Sequence, residues 1–240
     1  MSIAFFDVDG TLLPHPSLER RLFWNFFHRG KIPAASCLRW TTQCVRLGLW
    51  NFRAIAQSNK SYLHGVQAIA IENPTSCIAE FFPSAMQRVW WHALRGDTIV
   101  LLTGTLAPLA INVKLALERE LLWRGVEAKL LVIASQLEVT DGRCTGNLLG
   151  APMSGEQKAS ALTQFAATAG VPFDDCFAYG NHHADRWMLA AAGQPFAVNP
   201  STTLRRLARH QGWRILNWTP CPSRTLSARN AFKWKGEAAR

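Results

Sequence analysis

Ile3-Ala4-Phe5-Phe6-Asp7-Val8-Asp9-Gly10-Thr11 decides the fold. Four apolar residues run straight into two carboxylates and a glycine. A short apolar run closed by a turn signal predicts a buried strand. Beyond it, Pro14 and Pro16 forbid a helix over 12–17, which makes that stretch a hinge candidate. From Thr98 onward strands and helices alternate. Strands are predicted over 99–102, 129–134, 175–179 and 195–198. Helices are predicted over 108–122, 157–169, 185–192 and 201–210. A hairpin over 137–147 turns at Asp141-Gly142. This alternation predicts an α/β fold, a Rossmann-like doubly wound and mostly parallel sheet covered on both faces.

Residues 18–95 interrupt that pattern. Their apolar residues recur at helical spacing in four stripes: Leu18, Leu22, Phe26; Cys37, Trp40, Cys44, Leu47; Phe52, Ile55, Tyr62, Val66, Ile69; and Ile78, Phe82, Ala85, Val89, Ala93. A helical bundle of about four helices is expected there. The chain thus divides into a core domain (1–17 and 96–218), an inserted helical cap (18–95) and a polar, basic tail (219–240).

Composition excludes several classes. The 240 residues are 48% hydrophobic and 18% charged, which rules out wholesale disorder. No apolar run approaches the ~18 residues of a membrane span. The N-terminus meets acids too early for a secretory signal, so a reducing cytoplasm is the expected compartment. None of the six cysteines forms a CxxC pair, so zinc-ribbon and thioredoxin-like readings fail. The net charge of +10 is concentrated, with +7 in residues 18–95 and +4 in 219–240. Such a field favours anionic partners. No groove-reading motif accompanies it, so nucleic acid is disfavoured.

In an open parallel sheet, ligands sit beyond the carboxyl ends of the strands. Three strands end there in polar groups: Asp7-Val8-Asp9-Gly10-Thr11, Thr103-Gly104-Thr105, and Gly180-Asn181-His182-His183-Ala184-Asp185. Lys158 opens a helix after Gly155-Glu156. Together these supply carboxylates, a hydroxyl, a lysine and an Asn/Asp pair, a set that suits a divalent metal and a phosphate. One carboxylate can attack phosphorus, and a second can shuttle the proton. Gly10 lets backbone N–H groups approach phosphate oxygens.

These four segments, in this order and with the hairpin 137–146, resemble the haloacid dehalogenase superfamily. The branch is subfamily IB, the phosphoserine-phosphatase-like hydrolases. The resemblance covers residues 1–218, and the bundle lies where that branch carries its cap. It implies a phosphatase that forms an aspartyl-phosphate, with Asp7 as nucleophile and Asp9 as general acid/base. Gly10, Thr11, Thr103, Gly104 and Lys158 would bind the substrate phosphate. Mg²⁺ would be held by Asp7, Asp9 through its backbone carbonyl, Asn181 and Asp185. Two positions depart from the branch. Asn181 stands where its members carry Asp, which removes one negative charge from the metal site. Pro16 stands where phosphoserine phosphatases carry the Glu that reads the substrate amino group, which argues against phosphoserine.

The substrate expected is therefore another small phosphomonoester. Two alternatives follow from particular residues. Phe23, Trp24, Phe26 and Phe27 lie beside Arg20, Arg21 and Arg29, and Trp90-Trp91 closes the same segment, a mixture also found at anionic membrane surfaces. That favours a lipid-phosphate phosphatase, whereas the plainer reading is a bundle core with snorkelling arginines. Asn181 raises the second alternative, a pseudophosphatase that binds a phosphorylated ligand without turnover.

Overall fold

A computed structural model describes residues 1–46, 60–72 and 80–220. Its core is a six-stranded sheet made of β1 (Ile3–Phe6), β2 (Thr98–Leu106), β3 (Leu130–Ser135), β6 (Cys176–Gly180), β7 (Gln194–Val198) and β8 (Arg214–Leu216). The spatial order is β3-β2-β1-β6-β7-β8, and every pairing is parallel. The doubly wound α/β reading therefore holds. Phe6 is in register with Leu101 on one side and Tyr179 on the other. That register brings the polar ends of β1, β2 and β6 to one edge of the sheet.

Alternation along the strands builds two cores. Ala4, Phe6, Leu101 and Tyr179 face one side, and Ile3, Phe5, Val100 and Ala178 the other. The second face is sealed by α6 (Glu156–Thr168), α7 (Arg186–Ala191) and α8 (Thr202–His210) through Leu162, Ala166, Met188, Leu189, Leu204 and Ala208. The first face carries α5 (Ala107–Trp123) through Leu109, Val113 and Leu117. It also carries α4 (Pro83–Leu94), which begins at a proline suited to a first turn.

The placement of α4 differs from the sequence reading, which put it in the bundle. Its His92 is fully buried, 4.8 Å from the Phe177 ring and 5.8 Å from Phe6. An apolar stripe shows that a helix face is buried, but not what it is buried against. His92 Nδ1 donates to Asp97 Oδ2 at 2.8 Å, so its Nε2 accepts from the Tyr179 hydroxyl at 2.9 Å. Arg95 Nε donates to the same Asp97 oxygen.

Burial pushes the His92 imidazole down to about 4; Asp97 opposes that shift and Arg88 and Arg95 reinforce it. The unfolded chain, with an ordinary imidazole, then binds more protons between about pH 4 and 6.5. The contribution is complete above pH 6.5 and is lost as pH falls toward 4. Asp97, held below the usual carboxylate range although burial opposes it, acts in the same direction. We expect the parent to lose about 2–3 kcal/mol more than His92→Gln over that interval, read from paired urea melts, because other groups such as Asp7 titrate alike in both proteins. An unchanged slope in His92→Gln would contradict this account.

The inserted segment contributes α1 (Leu18–His28), α2 (Ala34–Arg46), a short turn over Ser61–Leu63 and α3 (Ala68–Glu72). Leu18, Leu22 and Phe26 are buried as the first stripe requires. Phe23 packs on Tyr62 at 5.5 Å and on Trp40 at 6.1 Å. The third stripe does not form one helix across its described part. Gly65, at φ +78°, breaks it after Ser61–Leu63, and Ile69 is exposed. Leu47, Phe52, Ile55, Ile78 and the tail beyond 220 lie outside the described residues.

β4 (Leu137–Thr140) and β5 (Arg143–Leu148) form the expected hairpin, with Asp141 and Gly142 both at positive φ. The hairpin is bonded to the inserted segment. Gly65 N–H donates to the Cys144 carbonyl, and Cys144 N–H to the Val66 carbonyl, both at 2.9 Å. β2 runs four residues past the predicted end, and the three-residue β8 goes unpredicted.

Candidate active site

Asp7 leaves β1 with its backbone N–H bonded to the Tyr179 carbonyl at 2.9 Å, which continues the ladder one step past the strand. This fixes where its carboxylate points. Oδ1 accepts from Lys158 Nζ at 2.6 Å, and Oδ2 accepts from the Thr11 hydroxyl at 3.4 Å. Lys158 lies in the first turn of α6 and is buried, and it also donates to Asp185 Oδ1 at 2.7 Å. The other Asp185 oxygen accepts the backbone N–H groups of Asn181 at 3.1 Å and His182 at 2.9 Å. One ammonium thus ties together residues that are 151 and 27 positions apart.

Glycines make the close approaches possible. Gly10 has φ +84°, and a Cβ there would lie 2.0 Å from Asn181 Nδ2. The Asn181 side chain therefore packs directly on the Asp7-Asp9-Gly10 turn. At Gly180 a Cβ would meet that of Asp185 at 2.6 Å. Thr103 is buried at the same sheet edge, and its hydroxyl accepts the Thr105 N–H at 3.2 Å. Gly104 is half-buried beside the Met153 carbonyl.

Asp9 turns elsewhere. Its Oδ1 accepts the Leu18 N–H at 2.9 Å, and its Oδ2 accepts the Thr105 hydroxyl at 2.6 Å. Next to it Glu19 is ion-paired with the buried Lys60. The sequence reading missed Thr105 and this ion pair. Thr105 had a usable signal, since it is two residues from Thr103 and so shares its side of the strand. Glu19–Lys60 had none, because its two members lie 41 residues apart in a segment read only for apolar stripes.

Burial dominates the electrostatics. It pushes the Asp7 carboxyl up to about 7; Lys158 pulls it down, while Asp185 and Asp9 add to the rise. Burial alone would lower the Lys158 pKa, but Asp185 and Asp7 outweigh it and hold the ammonium charged, above its ordinary value. Two carboxylates, Asp7 and Asp185, sit on one lysine, and Asp9 is close enough to act on Asp7, so the site carries a net negative charge that a divalent cation would neutralise. Among the described residues, no three His, Cys, Asp or Glu side chains group as a metal cage. A metal here would draw on carboxylate, amide and carbonyl oxygens together.

Over residues 4–190 the chain matches the family model for haloacid dehalogenase-like hydrolases. It belongs to that family. Among curated proteins, this hydrolase is similar to phosphoserine phosphatase SerB1 of Mycobacterium tuberculosis. The two are 28% identical over 228 residues, covering 88% of this chain and 69% of the relative. A probable phosphatase of the same organism, Rv3661, is 36% identical over 107 residues, covering 45% of this chain and 36% of its own. Among solved structures, a Bordetella pertussis Tohama I protein of unknown function superposes with TM-score 0.66 and 25% identity, over 89% of this chain and 97% of its own. A substrate-bound phosphoserine phosphatase superposes with TM-score 0.60 over 90% and 92%, and at 18% identity shares the fold.

Proposed function

We propose that this hydrolase is a Mg²⁺-dependent phosphatase that cleaves a small phosphomonoester through an aspartyl-phosphate. The observation that carries the reading is the convergence of Asp7 and Asp185 on Lys158 at the carboxyl end of the sheet. Relatives named as phosphatases support it.

In the first step an Asp7 oxygen attacks phosphorus, and the bond from phosphorus to the ester oxygen breaks. That oxygen leaves with the Asp9 proton. In the second step water attacks phosphorus and gives its proton to Asp9. The acyl–phosphate bond breaks, phosphate departs, and the Asp7 carboxylate is restored. Lys158, Thr103, Gly104, Gly10 and Thr11 bind the phosphoryl oxygens. The donor set suits a hard dication: Asp7, the Asp9 carbonyl, Asn181 and Asp185 offer oxygen only. Bound there, Mg²⁺ supplies positive charge against the repulsion between carboxylate and phosphate. The inserted segment 18–95 acts as the cap that selects the substrate, with α4 serving the core layer.

The test is phosphate release from a panel of small phosphomonoesters, with and without Mg²⁺. Mg²⁺-dependent release is expected, and no release from any member would contradict the reading. Asn181→Asp restores a carboxylate beside Gly10. We expect it to lower the Mg²⁺ concentration for half-maximal activity by about tenfold, on the order expected for one added ligand charge. Calorimetric Mg²⁺ affinity should rise in parallel, and an unchanged affinity would contradict the metal assignment.

One observation favours a second reading, a substrate phosphate carried on a lipid. Trp24 and Phe27 are 45% and 52% exposed on α1, flanked by exposed Arg20, Arg29 and Lys31. Among the described residues no helix is long and apolar enough to cross a membrane, so contact would be peripheral. Salt-sensitive co-sedimentation with anionic vesicles supports this reading, and its absence removes it.

A further inference from the structure

The two oxygens of Asp9 are held by donors of different kinds. Oδ1 faces the backbone N–H of Leu18 at 2.9 Å, a group that can only donate. Oδ2 faces the Thr105 hydroxyl at 2.6 Å, within the range of a charge-assisted O–H···O⁻ bond. A hydroxyl carries one proton and two lone pairs, so it can donate to a carboxylate and accept from a carboxylic acid. A proton on Oδ1 would weaken the bond from the Leu18 N–H, which cannot accept in return. A proton on Oδ2 meets a group able to turn around.

Thr105 is itself fixed. It is 4% exposed, and its N–H is bonded to the Thr103 hydroxyl. Its neighbour Leu106 lies near the Glu19 carboxylate, which is ion-paired with Lys60. The end of β2 and the first turn of α1 therefore clasp each other through Asp9, beside the Glu19–Lys60 pair. That clasp keeps the Leu18 N–H on one Asp9 oxygen and the Thr105 hydroxyl on the other.

We propose that Thr105 is the positioning residue of the proton-transfer group. It makes Oδ2 the oxygen of Asp9 that carries the proton, and it serves both protonation states by reversing its hydrogen bond. The inference rests on the reading of Asp9 as general acid/base and adds a residue that reading does not use.

The test compares Thr105→Val, which keeps the shape and loses the hydroxyl, with Thr105→Ser, which keeps the hydroxyl. The readout is kcat/KM for 4-nitrophenyl phosphate, phenyl phosphate and glycerol 2-phosphate. This parameter reports the steps through release of the alcohol, whose need for a proton rises along the series. Thr105→Val should lose about 10–100-fold on the last two and under about threefold on 4-nitrophenyl phosphate. Thr105→Ser should stay within about threefold of the parent on all three. Equal losses on all three, or a serine variant as poor as valine, would assign Thr105 a merely structural role and overturn the proposal.

Asp9→Asn separates the two levels. If its loss shows no leaving-group bias, the general-acid reading falls and the proposal with it. If Asp9→Asn is biased and Thr105→Val is not, the proposal alone falls. A crystal structure of Thr105→Val gives a readout free of turnover. Asp9 Oδ2 should swing away from residue 105, and an unmoved carboxylate would overturn the proposal. Melting temperatures identify any variant that fails to fold; in that case Thr105→Ser against the parent carries the test.

Discussion

Asp7→Asn is expected to lower phosphate release by at least about 10³-fold on every substrate the parent accepts, the scale of losing a nucleophile. The fold should survive. The amide oxygen of Asn can still accept from Lys158, and the ladder bond to the Tyr179 carbonyl uses only the backbone. The change also removes a buried carboxyl that desolvation disfavours in its charged form. Stability is therefore expected to stay within about 1 kcal/mol of the parent, the net scale of one hydrogen bond. Circular dichroism and urea melts check the second half of the claim, and phosphate release checks the first. Turnover within tenfold of the parent in a folded Asp7→Asn protein would remove Asp7 from the chemistry.

Lys158→Met carries the second large effect, and it acts on stability as well as rate. The ammonium is the shared partner of Asp7 and Asp185, all three buried. Removing it leaves two carboxylates facing each other without compensation. Breaking a buried pair in this way costs about 3–5 kcal/mol when both remain ionised. The folded state can relieve the cost by keeping a proton, so the carboxyl pKa values rise above their unfolded values. Stability contributed by groups with raised pKa is present at low pH and is lost as pH rises. In the presence of a chelator, the variant should therefore be destabilised far more at pH 8 than at pH 5, as read from urea midpoints. Its rate should fall by about 10²–10³-fold, the scale of losing a preorganised charge at a reacting phosphoryl group. Equal destabilisation at both pH values would show that Lys158 does not carry the buried charge balance.

Much of this site was legible in the sequence because its residues sit at the ends of regular elements. Asp7 follows four buried residues, Asp185 lies five residues past the end of β6, and Lys158 lies in a first helical turn. Each is fixed by short-range pattern, and the parallel register does the rest. What stayed hidden was contact between segments. The spacing of Thr105 from Thr103 points it toward the site, but only the folded chain places Asp9, 96 positions earlier, against it. The helical stripe of α4 was correct as a buried face, yet it could not say that the sheet lies beneath it. His92 marks that contact, but a lone histidine in an aromatic helix gives no such signal. β8 escaped because three residues are too few to show a period.

Acid quenching during turnover tests the central claim most directly, followed by peptide mass spectrometry of the N-terminal segment. With a substrate in excess, the peptide holding Asp7 should carry one phosphoryl group that hydroxylamine removes. Asp7→Asn should carry none. A protein that turns over steadily with no phosphoryl group trapped on that peptide, or with it trapped on another residue, would contradict the account.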